Sequence, residues 1–167
     1  MKWYVGFLLL IADRSLVAQT TFQDWTVGVS SNKTNIFAAT MNDSGQILAQ
    51  LCVIAEKRCT WRMTTDLECK EGNTYSILAN TSAGAAHMRV ICDGKVNNNY
   101  RYTFTNWKDV EALVFESNVI GVAFPVQGDR FNVYRFSLRG ANRANEFLEK
   151  AFFDAKIDPK STDTITL

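Results

Sequence analysis

The chain has one histidine, no C-x-x-C pair, no excess of either charge and no apolar run long enough to cross a bilayer. Each shortage excludes a class of function. Eighteen Lys and Arg against seventeen Asp and Glu leave no net field to gather nucleic acid or an anionic membrane, so neither is expected as a primary partner. His87 has no second histidine with which to hold zinc, and period-two alternation puts it with Arg89 on a wet strand face, away from Met88 and Val90. The sequence contains no G-x-S-x-G elbow, no phosphate-binding loop and no dinucleotide fingerprint. No catalytic residue, cofactor or metal is therefore expected.

What the chain does hold is an export pattern. Lys2 precedes an apolar run over residues 3–12, and Ala18 offers a small residue for cleavage before Gln19. The run is shorter than the roughly 20 residues a spanning helix needs. Residues 1–18 read as a cleaved signal peptide, with an uncleaved interfacial anchor as the competing reading. That segment holds Lys2, Arg14 and Asp13, so the rest of the chain carries sixteen charges of each sign. Cys52, Cys59, Cys69 and Cys92 all follow the cleavage site. Their even number in an exported chain points to disulfides and to a periplasmic or secreted location. Intervening lengths of six, nine and twenty-two residues lack the close pairs that zinc sites favour. A tight turn at Ala55-Glu56 would set Cys52 opposite Cys59 and leave Cys69 to pair with Cys92.

A chain of 167 residues suits one domain with one core, here residues 19–153, followed by a polar flexible tail over 154–167. Alternating Trp25, Val27 and Val29 mark a strand within 22–30. Residues 36–41 and 47–54 flank the turn Asn42-Asp43-Ser44-Gly45-Gln46, and 74–80 and 86–92 flank a second turn. Cys59, Trp61 and Met63 alternate in another strand, as do Tyr100, Tyr102 and Phe104. Segments 65–73 and 93–99 read as exposed loops. Asn106 is placed to cap a short helix over 107–117, with Trp107, Val110, Leu113 and Val114 on one face. A final helix, capped by Asn142, carries Ala144, Phe147, Leu148, Ala151 and Phe152 as an apolar stripe.

Between the helices lies the most apolar stretch, residues 119–138, read as a hairpin. A two-residue loop at Gly128-Asp129 would set Val126 opposite Phe131. Ile120, Val122, Phe124 and Val126 then share a face with Phe131 and Val133, while Val119, Gly121 and Ala123 oppose Leu138, Phe136 and Tyr134. Both faces would be apolar, which predicts a strand pair buried on both sides at the centre of the domain. The fold class expected is mainly β (β-rich α+β): an antiparallel β-sandwich with a short helix and a C-terminal amphipathic helix.

Asp24, Asp66, Glu68, Glu71, Asp93 and Asp129 fall in or beside loops, where two acids facing each other across a cleft would make a small hydrolase. The aromatic ladder at 100–104 has the residue types of a base-stacking platform, but without a basic cluster it reads as sheet packing. The triplets starting at Asn32, Asn42 and Asn80 match glycosylation acceptors and matter only in a host that glycosylates them.

Four features together carry a family resemblance. They are the early strand Asp24-Trp25-Thr26-Val27, the hairpin over 38–52 with Ser44-Gly45-Gln46 at its turn, the cysteine-bearing middle, and Phe136-Ser137-Leu138-Arg139-Gly140-Ala141 before an alanine-containing helix. In these the chain resembles the invasion-associated locus B family of exported bacterial proteins. The resemblance implies a periplasmic or envelope β-sandwich tied to host interaction or envelope fitness, with no catalytic residues. The function expected is thus non-enzymatic binding of a protein or an envelope component. The alternative is an inhibitor or immunity protein that inserts segment 65–73 or 93–99 into a target enzyme.

Overall fold

The computed structural model describes residues 19–157; the expected signal peptide and most of the expected tail lie outside them. The strands are β1 (Thr20–Phe22), β2 (Trp25–Val29), β3 (Asn35–Met41), β4 (Ile47–Val53), β5 (Arg58–Thr65), β6 (Thr74–Thr81), β7 (Gly84–Val96), β8 (Asn99–Phe104), β9 (Val119–Val126) and β10 (Arg130–Ser137). The helices are α1 (Trp107–Phe115) and α2 (Ala141–Ile157). All ten strands join one antiparallel sheet in the order β1-β2-β3-β4-β5-β8-β7-β6-β9-β10, so the mainly β expectation holds.

The sheet bends until its two ends meet, which supplies the facing layers of a sandwich without a break between them. Trp25 Nε1 on β2 donates to the Ser137 carbonyl of β10 at 2.9 Å, and the Asp24 amide donates to the Arg139 carbonyl at 3.2 Å. Inside the bend Tyr102 of β8 packs on Phe124 of β9 with ring centroids 5.0 Å apart, and Trp25 meets Trp61 edge-on at 6.0 Å. α2 closes the β1–β3 end with Ala144, Leu148, Ala151 and Phe152 buried. These positions recur at the helical period, as a stripe facing a sheet requires.

The cysteines are joined as Cys52–Cys59 and Cys69–Cys92. The first bridge links directly opposed residues of β4 and β5. The second ties the loop after β5 to β7, a loop also held by Tyr102 Oη donating to the Leu67 carbonyl and the Lys70 amide donating to Tyr75 Oη.

Several local expectations are corrected. The first strand is split, because Gln23 adopts φ +54° and turns the chain between β1 and β2. Residues 93–99 are not a loop: β7 runs on to Val96 through an irregularity between Cys92 and Lys95, and pairs with β8 up to Asn99. Asn142 lies inside α2 rather than at its cap and donates to the Phe115 carbonyl instead. Trp107 is 48% exposed; only Val110 and Val114 of its helix are buried. α2 also continues past Asp154 to Ile157, so the first residues of the expected tail are helical.

The largest correction concerns the β9–β10 hairpin. Its loop has three residues, because Gly128 (φ +75°) and Asp129 (φ +54°) are both left-handed and Val126 pairs with Arg130. A one-residue slip moves every side chain of a strand to the opposite face. Tyr134 and Phe136, not Phe131 and Val133, therefore share the buried side with Ile120, Val122 and Phe124. The pair is buried on one face only, and β10 ends the sheet instead of sitting at its centre.

Candidate functional site

That slip uncovers an apolar surface. On the outer face, register aligns Leu78 of β6, Ala123 of β9 and Val133 of β10 in one row, and Asn80, Gly121 and Arg135 in the next. Val119 and Phe131 extend the surface along the strands. Phe131 is 57% exposed, Val119 49%, Val133 44% and Leu78 42%. Scattered exposed apolar residues need no explanation, whereas a contiguous set rimmed by polar groups marks an interaction surface. Here the rim is Asn80, Thr81, Ser82 and Arg135.

The small residues of β9 give this face its shape. Gly121 and Ala123 form a floor between the taller Leu78 and Val133, making a groove of about 380 Å³. A Cβ on Gly121 would meet only Val133 Cγ1 at 3.7 Å, the Asn80 carbonyl at 3.8 Å and Arg135 Cγ at 4.0 Å. Those are ordinary contact distances, so the fold itself does not demand a glycine there. Covering the four large apolar residues would contribute on the order of 4 kcal/mol by transfer of apolar area from water.

A second, more polar groove of about 520 Å³ lies along β10, with Asn42, Asp43, Ser44, Gln46 and Asp66 opposite residues 131–135. Tyr134 Oη donates to Asp66 Oδ1 at 2.7 Å inside it. Burial, and then the hydrogen bond and charge of Asp66, push the Tyr134 phenol up to about 12.

Three of the loop acids are bonded to other side chains. Asp24 accepts from Ser137 Oγ at 2.6 Å, Asp66 is held by Tyr134, and Asp93 accepts from Thr103 Oγ1 at 2.7 Å and Arg101 Nε at 3.3 Å. Asp129 stands in the β9–β10 loop and Glu71 lies beside Gly94. Among the described residues no three His, Cys, Asp or Glu side chains gather as metal ligands, and no helix is long and apolar enough to cross a membrane. His87 is exposed beside Leu78. Tyr102 and Phe104 are core residues.

Sequence reasoning missed the outer surface because it assigned both hairpin faces to the core. One signal pointed the other way: Arg135 shares parity with Phe131 and Val133, and an arginine seldom lies on a fully buried face without a partner.

No family model matches the chain, and no curated protein matches it. Among solved structures it is similar to the crystal structure of invasion associated protein B from Bartonella henselae, with a TM-score of 0.56 and 14% sequence identity over 80% of this chain and 96% of that one. The likeness is one of fold, and it agrees with the resemblance read from the strand and turn motifs.

Proposed function

We propose that the protein is an exported, non-enzymatic binding protein whose outer β6–β9–β10 face docks another protein or an apolar part of an envelope component. The observation that carries this reading is the grooved apolar surface of Leu78, Val119, Phe131 and Val133 around Gly121. Two disulfides support an oxidising compartment, and the similar fold of an invasion-associated bacterial protein supports a role at the envelope or in host contact.

Gly121→Val tests the reading, since it fills the groove floor where the backbone has room. The variant is expected to keep or raise the melting temperature, β-branched residues being favoured in strands, and to lose at least tenfold in affinity for a partner isolated from the native envelope by cross-linking. Unchanged affinity would reject this face as the binding surface.

One observation favours a second reading, enzyme inhibition by loop insertion. Residues 66–73 form an exposed loop pre-organised by the Cys69–Cys92 bridge and by its bonds to Tyr75 and Tyr102, and a rigid loop loses little entropy on binding. Loss of binding in Glu68→Ala or Lys70→Ala with Gly121→Val unaffected would favour that reading. The segment 93–99 is not a free insertion loop, because all of it but the Asn97-Asn98 turn lies within strands β7 and β8.

A further inference from the structure

β10 is the last strand of the sheet, and the hydrogen-bond pattern shows which of its backbone groups are left over. The Leu138 amide donates to the Asn118 carbonyl, in the same register that pairs Phe136 with Ile120 and Tyr134 with Val122. Antiparallel strands alternate between bonded and non-bonded pairs. Even-numbered residues of β10 therefore bond to β9, and the N–H and C=O groups of Phe131, Val133, Arg135 and Ser137 point to the open edge. The Ser137 carbonyl is taken by the Trp25 indole. Among the described residues nothing takes those of Phe131, Val133 and Arg135, and the 520 Å³ groove runs directly along them.

We infer that this edge pairs antiparallel with β10 of a second copy of the chain, about a two-fold axis through Val133. In that register Val133 exchanges both backbone bonds with its own symmetry mate, and Phe131 and Arg135 exchange theirs with Arg135 and Phe131 of the other copy. Every open donor and acceptor of the three residues finds a partner. The side chains agree with the register: each Arg135 guanidinium lies across from a Phe131 ring, a cation facing an aromatic, and no two like charges are opposed. A shift by two residues in either direction leaves edge groups unpaired and separates Arg135 from Phe131. β10 contains no proline, no lysine and no bulge, and in this register its two charged residues, Arg130 and Arg135, face Phe136 and Phe131 of the other copy. The pairing is independent of the partner proposed for the outer face. It keeps Phe131 and Val133 on that face and joins the two apolar surfaces into one.

Sedimentation of the protein with both disulfides intact, from micromolar to millimolar concentration, tests the inference. The chain is expected to reach twice its monomer mass. Val133→Pro removes an N–H that points away from β9, so the β9–β10 ladder stays whole, as proline on an edge strand permits. This variant is expected to remain folded by circular dichroism and monomeric throughout. Val133→Lys and Val133→Glu meet their own kind on the axis, so each alone is expected to be monomeric and an equimolar mixture to dimerise. A wild-type monomer at millimolar concentration, including one whose edge is kept for another protein's strand, overturns the inference. A dimer that survives Val133→Pro also overturns it. Should Val133→Pro fail to fold, the charged pair decides: assembly only in the mixture upholds the inference, and any other result overturns it.

Discussion

At the residue scale the sharpest constraint is Gly140. It takes φ +90°, and a Cβ there would run into the backbone carbonyl of Phe22. No flexible side chain can yield at that spot, because the obstacle is the main chain that links β1 to β2. Left-handed strain alone costs a non-glycine residue on the order of 1–3 kcal/mol. Gly140→Ala is therefore expected to cost more than about 3 kcal/mol, strain and displacement together, measured by urea denaturation against wild type. Gly121 is the opposite case. Its surroundings leave room for a side chain, so its smallness serves the groove rather than the fold. The two glycines thus have different reasons to be there, one set by the main chain opposite it and the other by the open face it leaves.

At the scale of elements, the disulfides decide how much of the loop geometry survives. Cys52–Cys59 closes a short hairpin already held by β4–β5 pairing, whereas Cys69–Cys92 spans a separation of 23 residues and orients a loop with few ladder bonds of its own. Loop-closure entropy of the unfolded chain gives about 2.5 kcal/mol for the first bridge and about 3.4 kcal/mol for the second. The double substitution Cys69→Ala with Cys92→Ala is expected to lower stability by about 3 kcal/mol and to raise protease sensitivity within residues 66–73. Removing Cys52–Cys59 is expected to cost less and to leave that loop protected. Limited proteolysis with mass spectrometry, alongside denaturant melts, checks both outcomes.

For the whole molecule, the question is what holds the β9–β10 end of the bent sheet against its middle strands, β5 and β8. Tyr134 reaches from β10 to Asp66 beyond β5, and Tyr102 packs from β8 onto Phe124 of β9. Burial pushes both phenols up to about 12 from an ordinary 10.0. A raised phenol means that the fold prefers the protonated form, so this contribution is complete below pH 10 and fades as pH rises through about 12. Stability is accordingly expected to fall steeply across that window. Tyr134→Phe loses a hydrogen bond to a carboxylate and is expected to be weaker by about 1.5–3 kcal/mol near neutrality, yet to show a shallower alkaline decline. Denaturant melts from pH 7 to 12 separate the two effects, and an equally steep decline in the variant would show that Tyr134 does not couple closure to alkaline pH.

The sequence by itself determined the class of fold, most strand positions, both helices and the geometry that opposes Cys52 to Cys59. Those properties follow from local period, turn chemistry and counting within a hairpin, which act over a few residues. Tertiary structure decided the rest. Whether the β9–β10 loop holds two residues or three depends on Asp129 accepting a left-handed backbone, a choice of small local cost that the burial of Tyr134 and Phe136 settles. That choice turned Phe131 and Val133 outward and created the candidate surface. The order of strands, with β6 carrying β9 and β10 to the open end, was equally hidden, because pairing between distant strands depends on which apolar faces fit across the bend, and neither hydrophobic period nor turn type encodes that fit.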